Sequence, residues 1–255
     1  MNRKIVLIFL LFILIATICP ENIHAQDLQI PDINLEVSSP EEENQADNLV
    51  LSLRILLLLT VLTLTPAIIV MLTSFTRIII VFSIVKRALA IRNMPPAQVL
   101  IGLALFLTVF IMSPVWQDIN NNALQPYLEE EITYEEAYNR AENPLRDFMF
   151  QQTGEKSLAL FVNLSDIERP ENKQDIPTYI LIPAFVVNEI EIAFKIGFMI
   201  YIPFLMIDMI VASILMSMGM LMLPPVIISL PFKILLFVLV DGWYLMIESL
   251  IKTFD

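Results

Sequence analysis

"RNMPPAQVLIGLALFLTVFIMSPVW", residues 92–116, and "LMLPPVIISLPFKILLFVLVDGW", residues 221–243, follow one plan. Each carries a Pro-Pro pair near its start, runs through apolar residues and closes on a tryptophan. Proline breaks an incoming helix but suits the first turn of an outgoing one. Each segment also follows another apolar stretch. The pattern therefore predicts two helical hairpins, turning at Pro95-Pro96 and Pro224-Pro225. The loose likeness between them reads as a weak internal repeat, a device common in transport folds. Ala97–Trp116 carries no charge over 20 residues and Met209–Phe232 none over 24. A helix of about 20 apolar residues spans a bilayer. The expected fold is all-α and membrane-associated: two hairpins with Pro-Pro turns plus an acidic helical extracytoplasmic segment.

Composition agrees. The chain is 57% hydrophobic and only 16% charged, well below the quarter or so usual in soluble proteins. At the N-terminus, Arg3 and Lys4 precede an apolar run of 14 residues, Ile5–Ile18, which Pro20 breaks before Ala25. This predicts a signal peptide over 1–25, cleaved near Gln26. Its removal would take with it the only cysteine, Cys19, and the only histidine, His24. A disulfide, a thiolate nucleophile and a His-based metal site would then all be excluded. The net charge of −12 argues against nucleic acid as a partner. With no Ser-His-Asp set, zinc spacing or ATPase motif, neither an enzyme nor a cofactor is expected.

The charges are segregated. The segment 26–48 holds seven acids and no base. Arg77, Lys86, Arg87 and Arg92 form a basic stretch with no acid between them, and 117–175 is acidic again, with thirteen acids against five bases. Positive charge beside membrane segments marks the cytoplasmic side. The expected order is an acidic N-terminal segment over 26–48, a first apolar hairpin over 49–116, an acidic periplasmic helical segment over 117–177, and a second apolar hairpin region over 178–255. Within the acidic segment, Thr133 and Glu136 have capping-box spacing, and Tyr134, Ala137, Tyr138, Ala141 and Leu145 fall on one helical face.

The second hairpin region contains Glu189, Glu191, Lys195, Asp208, Lys233, Asp241 and Glu248. A charge at a bilayer centre costs roughly 3 kcal/mol, so these residues must face protein, water or each other. Glu191 and Lys195 satisfy each other at i,i+4. Glu189 and Lys233 remain as candidates to pair, within or between subunits; a snorkelling Lys233 is the other possibility. Arg77, Asp208 and Asp241 are expected as buried charges. Met216, Met218, Met220 and Met222 alternate around a helix end and its turn. Such a cluster serves as ordinary packing or as a deformable seal, because unbranched thioethers repack cheaply.

"LTPAIIVMLTSFTRIIIVFSIVKRALA" (64–90), "PPAQVLIGLALFLTVFIMSPV" (95–115), "PAFVVNEIEIAFKIGFMIYIPFLMIDMIVASILMSMGMLMLPP" (183–225) and "SLPFKILLFVLVDGW" (229–243) resemble the FliP family of the flagellar type III export gate, from about Leu49 to Phe254. The resemblance implies a pore-forming subunit that passes unfolded flagellar proteins. It implies assembly with FliQ-like and FliR-like partners and with other copies of the chain. The location implied is the bacterial inner membrane within the flagellar basal body, with much of the assembly held above the membrane plane. It also implies a pore gasket after Gly219, at Met220, Leu221 and Met222, where Leu221 departs from the usual methionine. The family's intersubunit Glu–Lys contact falls on Glu189 and Lys233. A different class, a secondary transporter or ion-channel subunit using Asp208 or Asp241, is the alternative.

Overall fold

The computed structural model of the chain describes residues 45–91, 94–165, 167, 170, 172–220 and 223–254. The predicted signal peptide, the acidic segment up to residue 44, Arg92, Leu221 and Met222 lie outside these. No strand occurs among the described residues. The chain divides into two units, residues 1–58 and 59–255.

The first helix, α1 (Gln45–Met71), is leucine-rich and includes Pro66. Its leucines and isoleucines, with Met71, are exposed, as suits a helix surrounded by lipid or partner chains. The incoming apolar stretch does not continue unbroken. It stops at Leu72–Ser74, where the Thr73 hydroxyl donates to the Val70 carbonyl at 2.8 Å, and resumes as α2 (Phe75–Ala88). Ile78, Val81, Phe82, Val85 and Ala88 are buried along α2, at the spacing of one helical face. After the Pro-Pro turn come α3 (Ala97–Ile111) and α4 (Ser113–Ile119). A π-helical turn over Asn120–Leu124 and the short α5 (Gln125–Leu128) follow.

The acidic segment forms α6 (Tyr134–Gln152) and α7 (Glu155–Leu164). Thr133 caps α6 as its spacing predicts, its hydroxyl accepting from the Glu136 N–H at 3.3 Å. The Glu136 carboxylate turns instead to Arg140, at 2.8 Å. The C-terminal part of α6 is its buried end: Tyr134 and Tyr138 stay exposed, whereas Phe148, Met149 and Phe150 are buried. Then α8 (Thr178–Ser217) runs for 40 residues, and α9 (Pro225–Leu239) and α10 (Gly242–Lys252) complete the chain.

Two apolar cores result. One gathers α2, α3, α8, α9 and α10 around Val81, Phe82, Ala193, Phe204 and Phe237. The other joins Met112, the end of α6 and the start of α8 through Phe148, Met149, Leu181 and Phe185. The closest helix partnership is α2 with α8. Arg77 meets Glu189, and Ile84 lies where a Cβ on Gly197 would stand, 2.3 Å from it. Both positions rise together along the sequence, so α2 and α8 run in the same direction. Both hairpin turns therefore point to the same end.

Each outgoing helix is broken rather than straight. Ala97–Ile111 and Ser113–Leu128 meet at 55°, and Pro225–Leu239 and Gly242–Lys252 at 63°. Among the described residues, two helices are long and apolar enough to cross a membrane, and up to four spans result if each bent pair counts as one.

Candidate functional site

The methionine-rich tip closes the second hairpin. α8 ends by a backbone device that its sequence dictates. Met218 is the last residue with helical geometry, and Gly219 adopts φ +76°, the left-handed region that glycine enters without strain. The Gly219 N–H donates to the Met216 carbonyl at 3.1 Å and the Met220 N–H to the Leu215 carbonyl at 3.0 Å. These two bonds define a Schellman stop. Pro224 and Pro225 then open α9. Met216, Met218 and Met220 are 58%, 63% and 43% exposed. They straddle the helix end, and this chain leaves all three open at the tip. The backbone beneath them is fixed while the thioethers are free to repack.

Two ionic clamps hold the helices behind the tip. The first centres on Arg77, which is wholly buried, as is Glu189. The Arg77 guanidinium donates to both Glu189 carboxylate oxygens, at 3.0 Å from Nε to Oε2 and in a short contact from its terminal nitrogen to Oε1. It also donates to the Thr253 carbonyl and hydroxyl, each at 2.9 Å, and to Gln152 Oε1 at 2.9 Å. All five N–H donors of an arginine are thereby used. The Phe254 ring stacks on the guanidinium at 3.8 Å, and Gln152 donates back to the Phe254 carbonyl at 3.2 Å. Asn188 extends the network, donating to the Gln152 carbonyl at 2.6 Å and accepting from the Gly154 N–H at 3.2 Å. One cation thus joins α2, α6, α8 and the end of α10.

The second clamp lies toward the tip. Lys233 Nζ donates to Asp208 Oδ2 at 2.6 Å and to the Ala88 carbonyl at 3.1 Å. Ser229, one turn earlier on α9, donates to the other Asp208 oxygen. The ammonium therefore ties α9 to α8 while capping the carbonyl end of α2, where the helix dipole favours a cation. α8 continues nine residues past Asp208 before it ends at Ser217, about 13 Å at 1.5 Å per residue.

The sequence expectations sort out against this geometry. Arg77 is buried, and the Asp208 side chain is 19% exposed. Glu191 and Lys195 pair at 2.7 Å on the exposed side of α8. Glu189 and Lys233 do not meet within the chain, because each has a nearer partner, Arg77 and Asp208. An intersubunit contact between them would require exchanging those partners. Asp241 is a correction: it is exposed, not buried. It occupies a left-handed backbone position, φ 52°, at the corner between α9 and α10. The inside of that corner is filled by Gly242 and by the edge-to-face rings of Phe237 and Trp243, 5.5 Å apart. Sequence reasoning missed Gln152, Asn188, Ser229 and Thr253. Ser229 alone left a local signal, one helical turn before Lys233. Among the described residues, no group of three His, Cys, Asp or Glu could hold a metal ion.

Two bent helical hairpins, locked by buried ion pairs and carrying apolar helices long enough for a bilayer, define a membrane-associated all-α protein rather than a soluble domain. Residues 58–250 match the FliP family, and the chain belongs to that family. It is 55% identical over 217 residues to the flagellar biosynthetic protein FliP of Bacillus subtilis (strain 168), covering 85% of this chain and 96% of that one. The protein of the same name from Aquifex aeolicus (strain VF5) is 47% identical over 229 residues, covering 89% and 93%. That of Treponema pallidum (strain Nichols) is 46% identical over 228 residues, covering 89% and 83%.

Proposed function

We propose that the chain is a non-enzymatic, pore-forming subunit of the flagellar type III export gate, passing unfolded flagellar proteins across the inner membrane. Family membership supports the flagellar setting, since the relatives are named flagellar biosynthetic proteins. The observation that carries the pore role is the tip: exposed methionines on a rigid Schellman stop, beyond the last ionic clamp, with none of the described residues burying them. Copies of the chain, together with FliQ-like and FliR-like subunits, would bring several such tips around one axis. The seal would be Met216, Met218 and Met220 with Leu221 and Met222. Asp208 is less suited to carry ions, because Lys233 and Ser229 occupy its two oxygens.

A closed seal must exclude ions, and an open one must admit side chains of every shape. β-branched residues have too few rotamers for the second task, and small residues leave a hole. Replacing Met220, Leu221 and Met222 together with alanine is expected to leave assembly intact and make membranes leaky to small ions. A triple variant that assembles and leaks no more than the parent overturns the gasket reading.

A further inference from the structure

The basic stretch at the end of α2 borders an open groove of about 670 Å³, within the size range of small-molecule sites. Its walls are apolar, with Ile79 from α2, Leu100 and Ile101 from α3 and Val226 from α9 among them, and Lys86 and Arg87 stand in its lining. Lys86 spends one of its three N–H donors on the Pro95 carbonyl, at 2.9 Å. Arg87 is exposed. Ala97, the first residue of α3, lines the groove as well, so the positive end of that helix faces the same space. In a chain of net charge −12, this is a local concentration of positive charge above an apolar slot.

We propose that this groove binds one anionic phospholipid, its phosphate on Lys86 and Arg87 and an acyl chain along the Ile79–Leu100–Ile101 wall. The two halves of the site require the two halves of such a molecule. A free anion would leave the apolar walls in water, and a zwitterionic lipid would bring its own cation against Lys86 and Arg87. An acidic protein segment would meet the charge but not the slot. The binding is separate from the pore role, because the groove uses none of the tip's methionines.

The test uses the full-length protein in neutral detergent, with native mass spectrometry and thermal unfolding as readouts. Phosphatidylglycerol is expected to leave one retained adduct and to raise the melting temperature. Phosphatidylcholine and inorganic phosphate are expected to do neither. Arg87→Gln should weaken phosphatidylglycerol binding about fivefold, the effect of one charge at an anionic surface, and Arg87→Lys should recover most of it. Ile101→Asp should abolish the adduct while Arg87 is intact. Equal retention of the two lipids, an equal effect from inorganic phosphate, or an Arg87→Gln variant that binds like the parent would each overturn the proposal.

Discussion

Arg77 shows how little freedom a buried charge leaves its surroundings. Taking a guanidinium and a carboxylate out of water costs several kcal/mol for each ion, which a single pairing barely offsets. Arg77 is tolerated because every donor is used and an aromatic face covers the plane. Removing either partner strands the other. Arg77→Ala or Glu189→Ala is therefore expected to destabilise the folded chain by about 3–5 kcal/mol, read as a lower melting temperature and lost hydrogen-exchange protection where α6 meets α8. Arg77→Lys should recover little of this. An ammonium has three donors and no planar fork, so it cannot reach Glu189, Gln152 and Thr253 together. A lysine variant as stable as the parent would show that the charge alone matters and the geometry does not.

At the scale of elements, the bends matter more than the hairpins. Gly242 explains the second one: a Cβ there would stand 2.3 Å from the Phe237 ring, and that ring is held between Phe204 and Trp243. Gly242→Ala must push the ring out or open the corner, at about 1–3 kcal/mol for overpacking. Its expected signatures are a lower melting temperature and a changed Trp243 fluorescence spectrum, whereas Gly102→Ala, with open space around it, should show neither. The hairpins themselves were legible in the sequence, because Pro-Pro pairs punctuate apolar runs locally. So were the Thr133 cap and the Glu191–Lys195 pair, which depend on spacings of three and four residues. The bends were not. Ser113-Pro114 and Asp241-Gly242 are turn signals, but the apolar run carried the reading straight through them to Trp116 and Trp243. The placing of Asp241 failed for the same reason: a buried helical position was assumed where the chain turns a corner. The partners of Glu189 and Lys233 were invisible for another. Arg77 and Glu189 are 112 residues apart, and Lys233 binds the Ala88 carbonyl across 145. No periodicity reports such contacts.

At the scale of the whole molecule, charge and direction combine into one statement about sidedness. α2 and α8 run the same way, so the basic turn after α2 and the methionine tip after α8 lie toward one end. The Arg77 clamp, at the start of α2, joins the acidic helix α6 toward the other. Basic residues favour the cytoplasmic face; under the proposed function the tip would then lie on the side from which an exported chain enters. The bent limbs sharpen the issue. α3 and α9 have 15 residues each, about 22 Å at 1.5 Å per residue, short of a hydrocarbon core of about 30 Å. Neither crosses alone, so each crosses with its second limb or the hairpin sits outside the bilayer altogether. Single cysteines decide between these in a Cys19→Ser background, which removes the only native thiol. Tyr138→Cys, on the exposed part of α6, is expected to react with a membrane-impermeant maleimide in intact spheroplasts. Met94→Cys, exposed beside the Pro-Pro turn, is expected to react only after permeabilisation. If both react from outside, the first hairpin lies above the membrane and its positive charges do not mark the cytoplasmic face. If the pattern is reversed, the orientation argued from charge is wrong, and the methionine tip would face the exit of the passage.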